Sequence, residues 1–170
     1  MARIVHMFAP RVLGIDPGLT RCGFAVVAPR GAQRPKLLTL GVIRTDKSSP
    51  LATRLAELAA EFEALLDEHR PTAVAVERVF FQANARTAMS VAQASGLALA
   101  AAARRGIDVA EYTPNAVKLA VAGYGAADKA QVQRMVRQRL GLRATPRPAD
   151  AADAAALALC HLATIPGRAA

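Results

Sequence analysis

Two short apolar runs in this chain each stop at a carboxylate. Val12-Leu13-Gly14-Ile15 ends in Asp16 and a Pro17-Gly18 turn, and Thr72-Ala73-Val74-Ala75-Val76 ends in Glu77. An apolar run bounded by turn residues reads as a buried strand, which predicts both acids at the carboxyl ends of core strands. A charge in such a place needs a partner, because a carboxylate withdrawn from water unpaired is strongly destabilising. Asp16 fits two readings, an Asx-turn acid bonding its own backbone or a member of a functional cluster. Glu77 likewise fits a surface residue just past its strand or a neighbour of Asp16. Other acids placed in the same odd way would decide between them.

Between the two runs, Cys22 to Ala28 and Lys36 to Arg44 read as strands joined by a Pro29 to Pro35 turn, so the first three strands are predicted as an antiparallel meander. Ser49-Pro50 opens a helix with Ser49 as N-cap, and Leu51, Leu55, Leu58, Phe62 and Leu65 form its apolar stripe down to His69, before Pro71. That helix is a crossover, returning the chain as a strand parallel to the first and beside it. Asp16 and Glu77 would then be close. A long helix from about Asn84 to Arg105, rich in Ala and Ser and holding Gly96, suits close approach to its own core or to a second subunit. Ile107 to Thr113 makes a fifth strand, and Thr113-Pro114 begins a short helix carrying Lys118, broken at Gly123-Tyr124-Gly125. The expected class is α/β, a five-stranded mixed sheet flanked by helices, in one domain.

Composition narrows the function classes. At 53% hydrophobic over 170 residues the chain has ample apolar content for a core. No stretch approaches the roughly 18 uninterrupted apolar residues of a membrane span. Residues 1–10 lack an apolar centre and a small-residue cleavage site, make a poor signal peptide, and read as an extension before a domain spanning 11–165, with 166–170 a short tail. Translation starting at Met7 fits equally. Cys22 and Cys160 have no metal-ligand spacing and are expected as reduced thiols. The balance of 22 Lys and Arg against 13 Asp and Glu, net +9, favours a polyanionic partner, nucleic acid foremost.

Against that basic background the C-terminal acids stand out. Asp128 with Gln131 is a capping box for a helix to Leu140, buried along Val132, Met135, Val136 and Leu140. Lys129, Gln133 and Arg137 lie together on another face, with Arg134 and Arg139 nearby, fitting either a solvated basic face or a phosphate-contacting one. Lys129 sits where the helix dipole disfavours a cation, which hints at a use other than stability. In the last helix, steps of three, four and three put Asp150, Asp153, Leu157 and Cys160 on one face, turning both acids toward the sheet. Asp150 also suits an N-cap or first-turn acid. Asp16, Glu77, Asp150 and Asp153 therefore converge. Clustered carboxylates require protons or cations, and hard oxygen ligands select Mg²⁺ or Mn²⁺. Two such ions, typically ~3.5–4 Å apart, promote in-line attack on a phosphodiester. A metal-dependent nuclease follows.

Gly14-Ile-Asp-Pro-Gly18, Glu77-Arg-Val-Phe-Phe81, Lys118, Asp128-Lys-Ala-Gln-Val-Gln133 and Asp150-Ala-Ala-Asp153, in that order, resemble the RuvC family of Holliday-junction resolvases from Val12 to His161. The resemblance implies a ribonuclease-H-like fold and a homodimer making paired symmetric cuts in four-way junction DNA during recombination and repair, leaving 5′-phosphate and 3′-hydroxyl ends. It also implies a branch-migration complex as partner, a cytoplasmic location on the bacterial nucleoid, and Asp16, Glu77, Asp150 and Asp153 as ligands of two Mg²⁺ ions, with Mn²⁺ able to substitute. Phe80 matches the family's loop aromatic that disturbs base stacking, although a core ring is the alternative. Lys118 and Lys129 match its residues near the DNA backbone.

Three other readings share some of these features. A related ribonuclease-H-like enzyme would cut structured RNA. An actin-like or sugar-kinase-like domain would use Asp16-Pro-Gly-Leu-Thr20 as a phosphate loop, but needs two lobes where this chain has room for one. A catalytically dead junction-binding module would not need the full acidic quartet.

Overall fold

The strand at the centre of the sheet is the one that carries Asp16. In the computed structural model, which describes residues 10–79 and 85–165, β1 (Val12–Asp16) is flanked by β2 (Arg21–Arg30) and β4 (Ala73–Glu77), with β3 (Gln33–Arg44) and β5 (Asp108–Tyr112) outermost, in the order β3-β2-β1-β4-β5. β1 to β3 pair antiparallel as a meander; β4 pairs parallel with β1, and β5 with β4. Parallel pairing demands crossovers, supplied by α1 (Leu51–His69) and α2 (Ala85–Arg104). After β5 come α3 (Pro114–Ala122), α4 (Lys129–Leu140) and α5 (Ala149–Thr164).

Strand alternation sorts the side chains into two cores. Leu13, Ile15, Val74 and Val76 pack against Leu58 and Phe62 of α1 and Ala94, Ala98 and Ala102 of α2. Val12, Ala25, Val27 and Ala75 pack on the opposite side with α5 and with Val121 of α3 and Val136 of α4. Asp16 follows Val12 and Gly14 in the period of two, and Glu77 follows Ala75, so both acids belong to the α5 side. α5 is almost wholly buried along Ala151 to Leu162. Its alanines let it lie low, and the strands complete the fit: a Cβ on Gly14 would collide with the Ala154 carbonyl, and one on Gly23 with the Asp150 carbonyl.

Several local expectations are corrected. The β2–β3 turn is only Gly31-Ala32, with Gly31 at φ 61°; Pro29 and Pro35 lie within the strands, at an irregular stretch beside an edge where missing N–H donors are tolerated. Ser49 does not cap α1. Pro50 occupies that position without a side-chain bond, because Asp46 accepts from both the N–H and the hydroxyl of Ser48, at 2.9 and 2.7 Å, and its carbonyl accepts from the Ser49 N–H at 3.1 Å. Leu51 is 46% exposed, and the inward place in the first turn goes to Arg54, one turn before Leu58. The Asp128–Gln131 capping box forms as expected, and α3 starts at Pro114, with Thr113 capping it by accepting from the Ala116 N–H. Both cysteines are free and buried, their thiols pushed up to about 12 for Cys22 and about 11 for Cys160 chiefly by burial. Among the described residues no helix is long and apolar enough to cross a membrane. The N-terminal extension, the tail and Phe80 lie outside the described residues.

Candidate active site

The site begins with the parallel pairing of β1 and β4. Ile15 stands opposite Val76 in that ladder, so the next residues, Asp16 and Glu77, leave the sheet side by side toward α5. The loop after Asp16 is braced from below. The Thr45 hydroxyl donates to the Leu19 carbonyl at 2.6 Å, and Arg54 donates to the hydroxyls of Thr45 at 2.9 Å and Thr20 at 2.7 Å. The Thr20 hydroxyl thus serves as an anchor for Arg54, which gives the apparent phosphate-loop signature a structural use.

From above, α5 supplies Asp150 and Asp153. Asp150 is a first-turn acid and not the N-cap, which is Pro148. Its carboxylate accepts from Arg21 Nε at 2.9 Å and Nη2 at 2.5 Å. Asp153 accepts from Lys129 Nζ at 2.7 Å, and this contact explains a cation at the first position of α4, where the helix dipole opposes it. Both acids are partly buried, with 29% and 25% of their side chains exposed.

Electrostatics tie the four acids together. The Asp16 carboxyl is pushed up to about 7, first by burial and then by the negative charges of Asp153, Glu77 and Asp150, while Lys129 pulls the other way. Glu77 is raised by burial and by Asp153. Lys129 is held charged above its ordinary range, mainly by its bond to Asp153. At neutral pH a group near 7 is half protonated, so the cluster is short of positive charge. The deficit and the all-oxygen donor set suit a hard divalent cation. Among the described residues no three His, Cys, Asp or Glu side chains form a ready-made metal shell; Asp150 and Asp153 are turned to Arg21 and Lys129 instead. The four carboxylates suit such an ion in the chemistry of their oxygens, while Arg21 and Lys129 hold two of them as the side chains stand.

Lys118 lies half-buried on α3 and forms no ion pair with any of the four acids. The residues that sequence reasoning passed over are Arg21 and the two glycines beneath α5. Arg21 carries no motif; only the register that places Gly23 opposite Asp16, with Arg21 two residues earlier, brings it beside the site.

The sequence profile described as crossover junction endodeoxyribonuclease RuvC matches residues 12–161. The chain belongs to the RuvC family. Among curated RuvC relatives, a crossover junction endodeoxyribonuclease from Leifsonia xyli is 57% identical over 151 residues, covering 89% of this chain and 73% of the relative. One from Frankia casuarinae is 57% identical over 152 residues, covering 89% and 88%. Thermus thermophilus RuvC, solved in complex with a Holliday junction substrate, superposes with a TM-score of 0.85 at 43% identity, covering 90% of this chain and 93% of that one. The RuvC likeness gives the sheet its ribonuclease-H-like class, and the relatives' description as deoxyribonucleases leaves the RNA-cutting reading without support.

Proposed function

We propose that this endonuclease resolves four-way DNA junctions by paired, symmetric phosphodiester hydrolysis, with Asp16, Glu77, Asp150 and Asp153 as its catalytic carboxylates. The observation that carries the reading is the meeting of a parallel strand pair ending in Asp16 and Glu77 with the first turns of α5, in a chain of net +9. The four acids would hold two Mg²⁺ ions, for which Mn²⁺ can substitute. When bound, such ions supply the positive charge that offsets negative charge building on the phosphate as water adds to phosphorus and the P–O3′ bond breaks, leaving a 5′-phosphate and a 3′-hydroxyl. The protein's own part is to hold the carboxylates rigidly: Asp16 and Glu77 on adjacent strands, Asp150 under Arg21 and Asp153 under Lys129. Asp16 must shed its proton to serve, which its value of about 7 allows near neutral pH.

The twofold symmetry of a junction calls for two sites related by a twofold axis, hence a homodimer. Support comes from α2, whose outer side shows Met89, 63% exposed, with Gly96, Ala100 and Ala103 also exposed, a mostly small apolar strip suited to close helix packing. Phe80 is assigned to base unstacking near the cut, and Lys118 and Lys129 to the DNA backbone. A branch-migration complex is the further partner, and the bacterial cytoplasm the location, on the nucleoid when acting. The test offers a synthetic four-way junction and a linear duplex to the wild type and to Asp16→Asn, with Mg²⁺ or EDTA. We expect Mg²⁺-dependent cutting of the junction alone, and an Asp16→Asn protein that binds it without cutting. Cleavage by that variant at the wild-type rate, or cleavage in EDTA, would overturn the reading.

A further inference from the structure

Between residues 129 and 149 the chain carries Lys129, Arg134, Arg137, Arg139, Arg143 and Arg147 and not one Asp or Glu. Three of these arginines, 134, 137 and 147, line a groove of about 850 Å³ between α4 and the segment leading into α5, together with Gln133 and Thr145. Among the described residues no acid lines it. Other arginines of this protein are spent on partners: Arg21 on Asp150, Arg54 on Thr20 and Thr45, Arg104 and Arg105 on Glu63. Among the described residues Arg134, Arg137 and Arg147 have no side-chain hydrogen bond or ion pair. Three unpaired guanidiniums around one groove repel each other, and an anion with several charges relieves that repulsion. The guanidinium fork matches phosphate oxygens in particular.

The groove's lining also borders residues of the candidate active site along the chain. Its lining reaches Pro148 and Ala149, immediately before Asp150, and α4 carries Arg137 on the same side as Lys129, which bonds Asp153. Eight residues of helix separate Lys129 from Arg137, a rise of about 12 Å. That matches about three to four phosphates of a B-form strand, spaced ~3.4 Å along the axis. An acidic protein would satisfy the charge but not explain why the groove borders, at Ala130 and Ala149, the residues Lys129 and Asp150 of the candidate site. We propose that Arg134, Arg137 and Arg147 form a backbone track for one duplex arm, gripping phosphates about three to four nucleotides from the scissile one. The proposal rests on the junction-cutting reading above.

Each phosphate contact releases condensed counterions, so lost contacts flatten the salt dependence of binding by about 0.9 in log–log slope apiece. The experiment measures junction affinity in EDTA by fluorescence anisotropy across a salt series, for Arg134→Gln, Arg137→Gln and Arg147→Gln singly and together. Arg70→Gln, at the end of α1 leading into β4, is the control, and thermal melting of each variant checks folding. We expect the slope to fall by about 0.9 per substitution and about 2.7 for the triple variant, with at least tenfold weaker binding at low salt, while Arg70→Gln matches the wild type. Replacement of all three by Lys should keep most of the slope. A folded triple variant with wild-type slope and affinity would overturn the track and hand the groove to another kind of partner, while wild-type cleavage of the junction still stood. Should the wild type neither bind nor cut the junction, both readings fall together.

Discussion

Gly23 stands directly opposite Asp16 in the β1–β2 ladder, and the main chain of Asp150 occupies the space where a Gly23 side chain would be. The spacing between the strand acid and the helix acids is therefore set by an absent Cβ. Gly14, two pairs further along, does the same under Ala154. Replacing Gly23 by Ala must lift the start of α5, since the obstacle is backbone and cannot rotate away. We expect a loss of about 1–3 kcal/mol, the usual range for an overpacked core, and cleavage falling more than junction binding. A melting temperature and cutting rate equal to wild type would show that α5 has slack to absorb the extra methyl group.

The Asp16 carboxyl makes metal-free stability depend on pH. Its folded value of about 7 lies above the unfolded value of 3.8, so the folded state holds the proton more tightly. Its contribution is complete below pH about 4, declines as pH rises, and is lost above about 7. Asp16→Asn removes the titration. Without divalent metal the variant should be more stable than wild type at pH 8, by a few kcal/mol at most, with the advantage shrinking toward pH 4. Denaturant titrations at both pH values measure this, and an advantage that grew on acidification would contradict the sign.

Arg21 bonds the carboxylate of Asp150 and on the proposed function would compete with a metal ion for it. The pair is partly solvent-exposed on both sides, so losing it should cost no more than about 1 kcal/mol of stability. Removing its charge should at the same time favour a divalent ion. For Arg21→Ala we expect Mn²⁺ to bind several-fold more tightly by calorimetry. Weaker binding would mean that Arg21 orients Asp150 for the metal instead of occupying it.

The proposed dimer depends on the exposed apolar strip of α2. At Gly96 an added Cβ would meet nothing within 4 Å, so a long side chain there, or a charge at Met89, should leave the monomer's fold intact while blocking helix-to-helix approach. Sedimentation at micromolar concentration should show wild-type dimers and Met89→Glu or Gly96→Arg monomers. Dimers in all three proteins would move the interface elsewhere.

Much of the fold was legible because period and punctuation are local. The meander, the crossover by α1, the start of α3, the capped start of α4, and the placement of Asp16 and Glu77 at neighbouring strand ends all followed from apolar spacing and turn residues. The misreadings were local competitions that position alone does not resolve: Asp46 against Ser49 for the turn before α1, Arg54 against Leu51 for its inward face, and two prolines absorbed by irregular edge pairing.

The chain's own order of residues determined which groups carry charge, which face of each strand or helix they share, and the family to which that pattern belongs. Tertiary structure alone decided what those charges meet. Arg21 reaches Asp150 across 129 positions, and Lys129 reaches Asp153, because α5 rests on backbone at Gly14 and Gly23. Contacts of that kind depend on the distance between packed main chains, a quantity set by every side chain between them and written in no single segment.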